Sequence, residues 1–170
     1  MARFDLSNIE SKVNTLKSKG ERYEYVDFDK IVFNHKNHYP LSEIEELMFD
    51  IAERGLSQAL VVGECNEEVR EFYGLEEGEY LLISGHRRTN AISLGNQRGV
   101  FDMKEVMCKI KHYDTVGQAV IDLNFDNLLN RQLTDGDYMK AYEDLSEFAE
   151  TQEFTGRKRD WIAKKLQVSP

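Results

Sequence analysis

The stretch Leu82-Ile83-Ser84-Gly85-His86-Arg87-Arg88 decides the architecture of this chain, because an apolar run ends there in a small turn followed by basic residues. Short apolar runs are typical of buried strands, and residues 86–94 have helical composition. A helix start presents unpaired N–H groups and a partial positive charge, and guanidinium groups match phosphate oxygens. The stretch therefore predicts a strand, a turn and an anion-binding helix start, with pairing of Arg87 and Arg88 to carboxylates as an equally weighted alternative.

Flanking segments extend this unit on both sides. Four of them are rich in β-forming or alternating apolar residues and predict strands, namely Tyr23–Val26, Lys30–Phe33, Ala59–Val62 and Val106–Ile110. A capping box of Ser42 with Glu45, and Gly55 at the far end, predict a helix between them. The helix after Gly85 is predicted to end at Gly95-Asn96. The fold class that follows is α/β (α+β), with a small mixed sheet and helices.

From Thr115 onward the pattern becomes helical. Apolar residues share one helical face over 116–123 and another over 138–149, and Thr134 with Asp137 has the form of an N-cap pair. Asp126–Glu153 carries eight acidic and two basic residues, which predicts a solvated helix face.

The last stretch reverses that charge. Arg157–Lys165 holds five basic residues and one acidic residue, and Trp161, Ile162 and Leu166 add an apolar stripe. Ser169-Pro170 has the form of an N-cap followed by a first-turn proline, so a new helix is predicted to begin there.

Composition argues against several classes of protein. The chain has 170 residues and is 41% hydrophobic, enough for an ordinary core, but no apolar run reaches the roughly 20 residues of a membrane span. Met1–Asp5 lacks the apolar stretch of a signal peptide. Two cysteines make no disulfide framework of the secreted kind, which predicts reduced thiols and a cytosolic location. Cys65 and Cys108 have no Cys-x-x-Cys spacing, which predicts ordinary buried or surface thiols. The formal net charge of -9 argues against a generic polyanion binder, so any nucleic-acid contact must be local.

Three motifs resemble those of the N-terminal domains of ParB-like chromosome and plasmid partition proteins, which share their fold with sulfiredoxin. Gly55–Val62 resembles the family's G-L-x-Q-P-L-V-V box, and Ile83–Ala91 resembles I-x-G-E-R-R-x-R-A. Asp126–Leu133 resembles E-N-L-Q-R-x-x-L, and Leu41–Gly55 is similar to the family's opening helix. The basic tail resembles the first part of its helix-turn-helix, so the resemblance covers residues 23 to 170.

The resemblance implies a site for CTP and Mg²⁺. In that family the first two boxes wrap the nucleotide, and the third helps to place the metal and the phosphates. Gln58 is then expected beside the nucleotide and Asp126 near Mg²⁺, which needs only one or two protein oxygens besides phosphate and water. The other nucleotide-binding residues that the resemblance implies are Gly85, His86, Arg87, Arg88, Asn127 and Arg131.

Three positions depart from the family's motifs. Ala59 replaces a proline, His86 replaces a glutamate, and Asn130 replaces an arginine, with Arg131 displaced by one position. On a helix that displacement turns Arg131 by about 100°. The resemblance therefore implies nucleotide binding more firmly than hydrolysis, and slow CTP hydrolysis stays open.

The chain divides into four predicted segments. These are an N-terminal arm over 1–22, a nucleotide-binding domain over 23–114, a helical segment over 115–156 and a truncated helix-turn-helix over 157–170. DNA contacts are expected from Arg157, Lys158, Arg159, Lys164 and Lys165. In a helix-turn-helix the second helix reads the major groove, and only Ser169 and Pro170 of that helix are present. Sequence-specific DNA binding is therefore not expected of residues 1–170.

The resemblance also implies a cytoplasmic, nucleoid-associated protein. It would form a homodimer, act as a nucleotide-dependent clamp or switch, and contact DNA and a partition ATPase, but no membrane. Two other hypotheses stay open, namely a ParB-fold nuclease or small-molecule kinase, and a non-catalytic domain whose arginines bind carboxylates. Sulfiredoxin chemistry is nearly excluded, because Gly85 stands where the cysteine is needed. His35 and His38 have metal-site spacing without further ligands nearby, which predicts a polar loop.

Overall fold

The computed structural model describes residues 22–37, 43–130, 134–149 and 156–166. Several sequence-based expectations lie outside the described residues, namely the arm up to residue 21, His38, Ser42, Arg131 and Ser169-Pro170. Lys165 is described by its backbone alone.

Within the described residues, five strands form one mixed sheet: β1 (Arg22–Asp27), β2 (Ile31–Val32), β3 (Leu60–Cys65), β4 (Tyr80–Ser84) and β5 (Glu105–Tyr113). Their order across the sheet is β1-β5-β3-β4-β2. β1 is antiparallel to β5 and β3 is antiparallel to β4, whereas the β5–β3 and β4–β2 pairs are parallel. The predicted fold class is confirmed, and the two most apolar runs lie in β3 and β4, where both faces of the sheet are covered.

Helices cover both faces of this sheet. Those in the described part of the chain are α1 (Ile44–Arg54), α2 (Glu67–Tyr73), α3 (His86–Arg98), α4 (Val116–Asn130), α5 (Asp135–Ala149) and α6 (Lys158–Leu166). α1 and α3 pack on one face, where Met48 and Ile92 are fully buried. α2 and α4 pack on the other, where Val69 and Val120 are fully buried. None of these helices is long and apolar enough to cross a bilayer.

A smaller core joins α5 and α6 to α4. Ala141 and Leu145 of α5 are buried together with Ile162 of α6, and Ile121 of α4 and Trp161 pack against them. Thr134 and Asp137 form the predicted N-cap pair, because each backbone N–H bonds to the other side chain, at 2.9 and 3.3 Å. The acidic segment is not solvated throughout, since Asp144 is only 8% exposed on the inner face of α5.

The ends of two helices differ from the predictions. The N-cap position of α1 is held by Glu43 rather than Ser42, in a left-handed backbone conformation and without a capping side-chain hydrogen bond. α3 does not end at Gly95 but continues to Arg98. A Cβ at Gly95 would overlap the ring of Phe101, so this glycine permits a close contact rather than ending the helix.

The segment between β3 and β4 contains a helix that the sequence did not predict. In the sequence this segment resembles a polar loop, because the outward face of α2 is acidic and only Val69 and Tyr73 are buried. Asn66 caps it by accepting a 3.0 Å hydrogen bond from the N–H of Val69. The ring of His35 packs on those of Phe72 and Tyr73, with centroids 5.7 and 4.9 Å away.

Candidate functional site

A cleft of about 820 Å³ opens where β4 ends and α3 begins. Its walls come from the start of α3, the segment before β3, one turn of α4, the edge strand β1 and its neighbour β5. The residues that line it are Tyr23, Leu47, Ser57, Gln58, Ala59, Val61, Ser84, Gly85, His86, Arg87, Arg88, Lys109, Asp126 and Asn127. All seven described residues that the sequence assigned to nucleotide and metal binding therefore meet in one cleft, although they come from three separate motifs.

Gly85 fixes the geometry of the helix start. Its φ of +102° is a conformation that side chains rarely adopt, and an added Cβ would lie 2.5 Å from Cδ2 of Leu60. Its carbonyl accepts hydrogen bonds from the N–H and the hydroxyl of Thr89, at 2.9 and 3.1 Å. Because glycine has no side chain to cap the helix, the first N–H groups of α3 border the cleft without a capping side chain.

Arg88 joins two of the motifs. Its Nη1 donates to the backbone carbonyls of Gln58 and Ala59, at 2.7 and 2.8 Å. Burial lowers the pKa of this guanidinium, and the charge of Asp126 offsets part of that effect. One edge of the guanidinium thus holds the segment before β3 against the helix start, and Arg88 positions the cleft wall in addition to lining it.

Arg87 has a different environment. Its Nη2 donates to Oε2 of Glu43 at 3.0 Å, and 37% of the Arg87 side chain is exposed. Its Nε is buried and has no hydrogen-bond partner among the residues that the structure describes. An exposed ion pair of this kind contributes about 0–1 kcal/mol. An anion in the cleft can therefore compete for this guanidinium, and the unsatisfied Nε fits an anionic ligand.

The third motif reaches the cleft from α4. The hydroxyl of Ser84, at the end of β4, donates to Oδ2 of Asp126 at 2.5 Å. Asn127 is buried, and its Nδ2 donates to the carbonyl of Leu123 at 2.8 Å. No group of three potential metal ligands occurs in the described part of the chain. A carboxylate beside a helix start that has no capping side chain nevertheless fits Mg²⁺, which takes most of its ligands from water and phosphate.

His86 lies in the first turn of α3 and is only 3% exposed. Its ring centroid is 6.2 Å from that of Phe33, and its carbonyl accepts a 2.9 Å hydrogen bond from Nδ2 of Asn90. The burial excludes a simple solvent contact for this residue. It lines the cleft while its side chain is packed within the domain.

Sequence reasoning missed the side chains that come from the sheet. Tyr23 of β1 pairs with Lys109 of β5, Lys109 pairs with Val61 of β3, and Val61 pairs with Ser84 of β4. Successive partners in this series lie 23 to 86 positions apart in the sequence, and only strand order and register bring them together. The alternation of apolar and polar residues within each strand was the one signal available, and it does not show which strands pair or in what register.

Four of the predicted DNA-contacting residues have described side chains, and these four do not line this cleft. Arg157 precedes α6, and Lys158, Arg159 and Lys164 lie on it, with Arg157, Arg159 and Lys164 exposed. Trp161 and Ile162 face the core shared with α5. Lys158, Arg159 and Lys164 therefore share one helix that packs through its apolar side, and Arg157 lies just before it.

A mixed sheet with a glycine-capped, arginine-bearing helix start defines an α/β domain suited to binding phosphate. The chain belongs to the ParB N-terminal domain family, whose sequence profile matches residues 12–127. This confirms the resemblance found in the three motifs.

Individual relatives agree with this assignment. The chain is 27% identical to a nucleoid occlusion protein of Geobacillus sp. (strain WCH70), over 97% of this chain and 56% of that protein. It therefore spans about half the length of this curated relative. Two structures of pNOB8-like ParB N-domains match with TM-scores of 0.55 and 0.54, each at 18% identity. The matches cover 78% and 77% of this chain, and 48% and 45% of those chains. A truncated ParB from Caulobacter crescentus, complexed with CTP-γ-S, matches with a TM-score of 0.46 at 22% identity, over 88% of this chain and 72% of that one.

Proposed function

We propose that this chain is the nucleotide-binding part of a ParB-like protein that acts in partition or regulation of a chromosome, plasmid or mobile element. The ligand proposed for its cleft is CTP with Mg²⁺. The observation that carries the proposal is the helix start at Gly85, where uncapped N–H groups and the unsatisfied Nε of Arg87 border one cleft. Helix starts with these features bind phosphate. The choice of CTP rests on the resemblance of the three motifs.

Each residue of the cleft has a distinct part in this binding. The N–H groups of His86 and Arg87 and the guanidinium of Arg87 would hold phosphate oxygens, and Arg87 would exchange Glu43 for the phosphate. Arg88 keeps Gln58 beside the ligand through its two carbonyl contacts. Asp126, oriented by Ser84, would hold Mg²⁺, with Asn127 beside it. Bound Mg²⁺ supplies neutralisation of phosphate charge.

The same helix connects the cleft to the rest of the chain. α4 carries Asp126 at the cleft and Ile121 at the core that it shares with α5 and α6. A shift of α4 on nucleotide binding would move α6 and its basic residues. This supports a nucleotide-dependent clamp or switch in a homodimer, with DNA contacts from Arg157, Lys158, Arg159, Lys164 and Lys165.

The wider setting is part of the proposal. The proposal keeps the four segments predicted from the sequence. It also includes a location in the cytoplasm at the nucleoid and a partition ATPase as a further partner, both of which the family suggests. The nucleoid occlusion protein of Geobacillus makes that activity the nearest alternative to partition.

A thermal-shift panel tests the nucleotide. CTP, ATP, GTP and UTP are compared, each with and without Mg²⁺, because a ligand that binds only the folded state raises its stability. We expect the largest rise in melting temperature with CTP and Mg²⁺. A rise with another nucleotide and formation of a phosphorylated or cleaved product would favour a ParB-fold enzyme. No rise with any nucleotide would favour a domain that binds carboxylates and would contradict the proposal.

A further inference from the structure

One row of side chains crosses four strands of the sheet. Tyr23, Lys109, Val61 and Ser84 are consecutive partners in β1, β5, β3 and β4, and all four line the cleft. The Tyr23–Lys109 and Lys109–Val61 pairs belong to regular ladders, so these three side chains point to the same face of the sheet. The register of β3 against β4 shifts between Val61 and Val62, so Ser84 is tied to this row by its place in the cleft rather than by a regular pair. At about 4.8 Å per strand, three spacings place Tyr23 roughly 14 Å from Ser84. This is comparable with the length of an extended nucleoside triphosphate.

The chemistry changes along this row. Ser84 adjoins Gly85 and the start of α3, so that end of the row is the phosphate end. Lys109 supplies a positive charge part of the way along, and the phenol ring of Tyr23 stands at the far end. That ring is 64% exposed although it lies in the sheet. An exposed aromatic ring at the end of a phosphate-binding cleft is suited to stacking on a base.

We infer that Tyr23 is the stacking platform for the nucleobase and that Lys109 lies against the sugar–phosphate portion of the ligand. This inference rests on the proposed function, because it extends the same cleft from its phosphate end to its base end. It also assigns a ligand role to β1, which none of the three sequence motifs includes.

Tyr25 provides a matched control. It lies two residues along β1, on the same face, and is 67% exposed. It lines a different cavity, with Phe28, Phe101 and Met103, and not the cleft at α3. A general effect of removing an exposed tyrosine from β1 would therefore be equal at the two positions.

Isothermal titration with CTP and, separately, inorganic tripolyphosphate, each with Mg²⁺, tests the inference. We expect Tyr23→Leu to weaken CTP binding by about tenfold, as loss of one stacked base implies. Tripolyphosphate has no base, so its affinity should stay within twofold. Tyr25→Leu should change neither affinity, and Tyr23→Phe, which retains the ring, should bind CTP like the unaltered chain.

The outcomes separate this inference from the proposed function. Unchanged CTP affinity in Tyr23→Leu, with binding intact in the unaltered chain, overturns the stacking role alone. Equal weakening of CTP and tripolyphosphate also overturns it, because the defect would then lie at the phosphate end or in the fold. Absence of binding by the unaltered chain to both ligands overturns the proposed function and, with it, this inference.

Discussion

Substitution of Gly85 by alanine should destabilise the domain strongly. A non-glycine residue held at a φ of +102° costs of order 1–3 kcal/mol. The new Cβ would also lie 2.5 Å from Cδ2 of Leu60, which is fully buried and must move within a packed core. Overpacking of that kind costs about 1–3 kcal/mol more. We therefore expect Gly85→Ala to lose about 2–6 kcal/mol of unfolding free energy.

Gly99→Ala is the matched control for this prediction. Gly99 ends the same helix with a φ of +67°, and nothing lies within 4 Å of the Cβ that would be added. Alanine at this position has the unfavourable backbone conformation but no close contact, so Gly99→Ala should lose about 1–3 kcal/mol of unfolding free energy. Urea denaturation followed by circular dichroism measures both variants. Equal losses at the two glycines, or a loss below about 0.5 kcal/mol at Gly85, would refute the close packing of the helix start against β3.

Four further outcomes are expected. Glu43→Gln should raise the affinity for CTP with Mg²⁺ about two- to fivefold in calorimetry, because it removes a competing carboxylate; Glu45→Gln, in a pair elsewhere on the same helices, should not. Burial raises the pKa of Cys65 and Cys108 to about 11 each, so alkylation of these thiols should be slow at pH 8. In the unfolded chain the same thiols lose their protons near pH 8.5, so the free energy of unfolding should fall from about pH 9 to 11. DNA binding through Arg157–Lys165 should be weak, non-selective and lost as salt rises in anisotropy titrations, and tight selective binding would contradict it. Light scattering should show a homodimer favoured by CTP with Mg²⁺, alongside slow phosphate release at most; a monomer throughout would contradict the switch.

Local signals were sufficient for the centre of the fold. The apolar run of β4, the glycine after it and the basic helix start are contiguous, so composition and turn chemistry predict them together. Gly55 ends α1 as predicted, with a φ of +76°. The N-cap pair of α5, Thr134 with Asp137, could likewise be predicted because its two residues are close in the sequence.

Features that depend on tertiary contacts were missed or misplaced. Gly95 was predicted to end the helix, but its lack of a side chain leaves room for the ring of Phe101. α2 presents a mostly acidic surface, and its two buried residues give too little periodicity to predict a helix. Asp144 is buried although its neighbours along the chain are charged.

The candidate site shows the same division. The start of α3 was predicted from its own sequence, and Asp126 and Asn127 were added by family resemblance. Tyr23 and Lys109 were missed, because their place in the cleft follows from strand order and register, which the residues of a single strand do not specify. The sequence left open that Arg87 pairs with a carboxylate, and it does pair with Glu43. The same guanidinium also lines the cleft, so this pairing does not replace the role predicted for it there.

Calorimetric titration of CTP with Mg²⁺ into the unaltered chain, Arg87→Ala and Arg98→Ala tests the central claim most directly. Both arginines lie on α3 and pair with a carboxylate near the start of α1, but only Arg87 lines the cleft. A charge-assisted hydrogen bond contributes about 1.5–3 kcal/mol, so Arg87→Ala should weaken binding roughly tenfold or more. Arg98→Ala should bind like the unaltered chain. Equal affinity in the unaltered chain and Arg87→Ala would contradict a phosphate site at the start of α3.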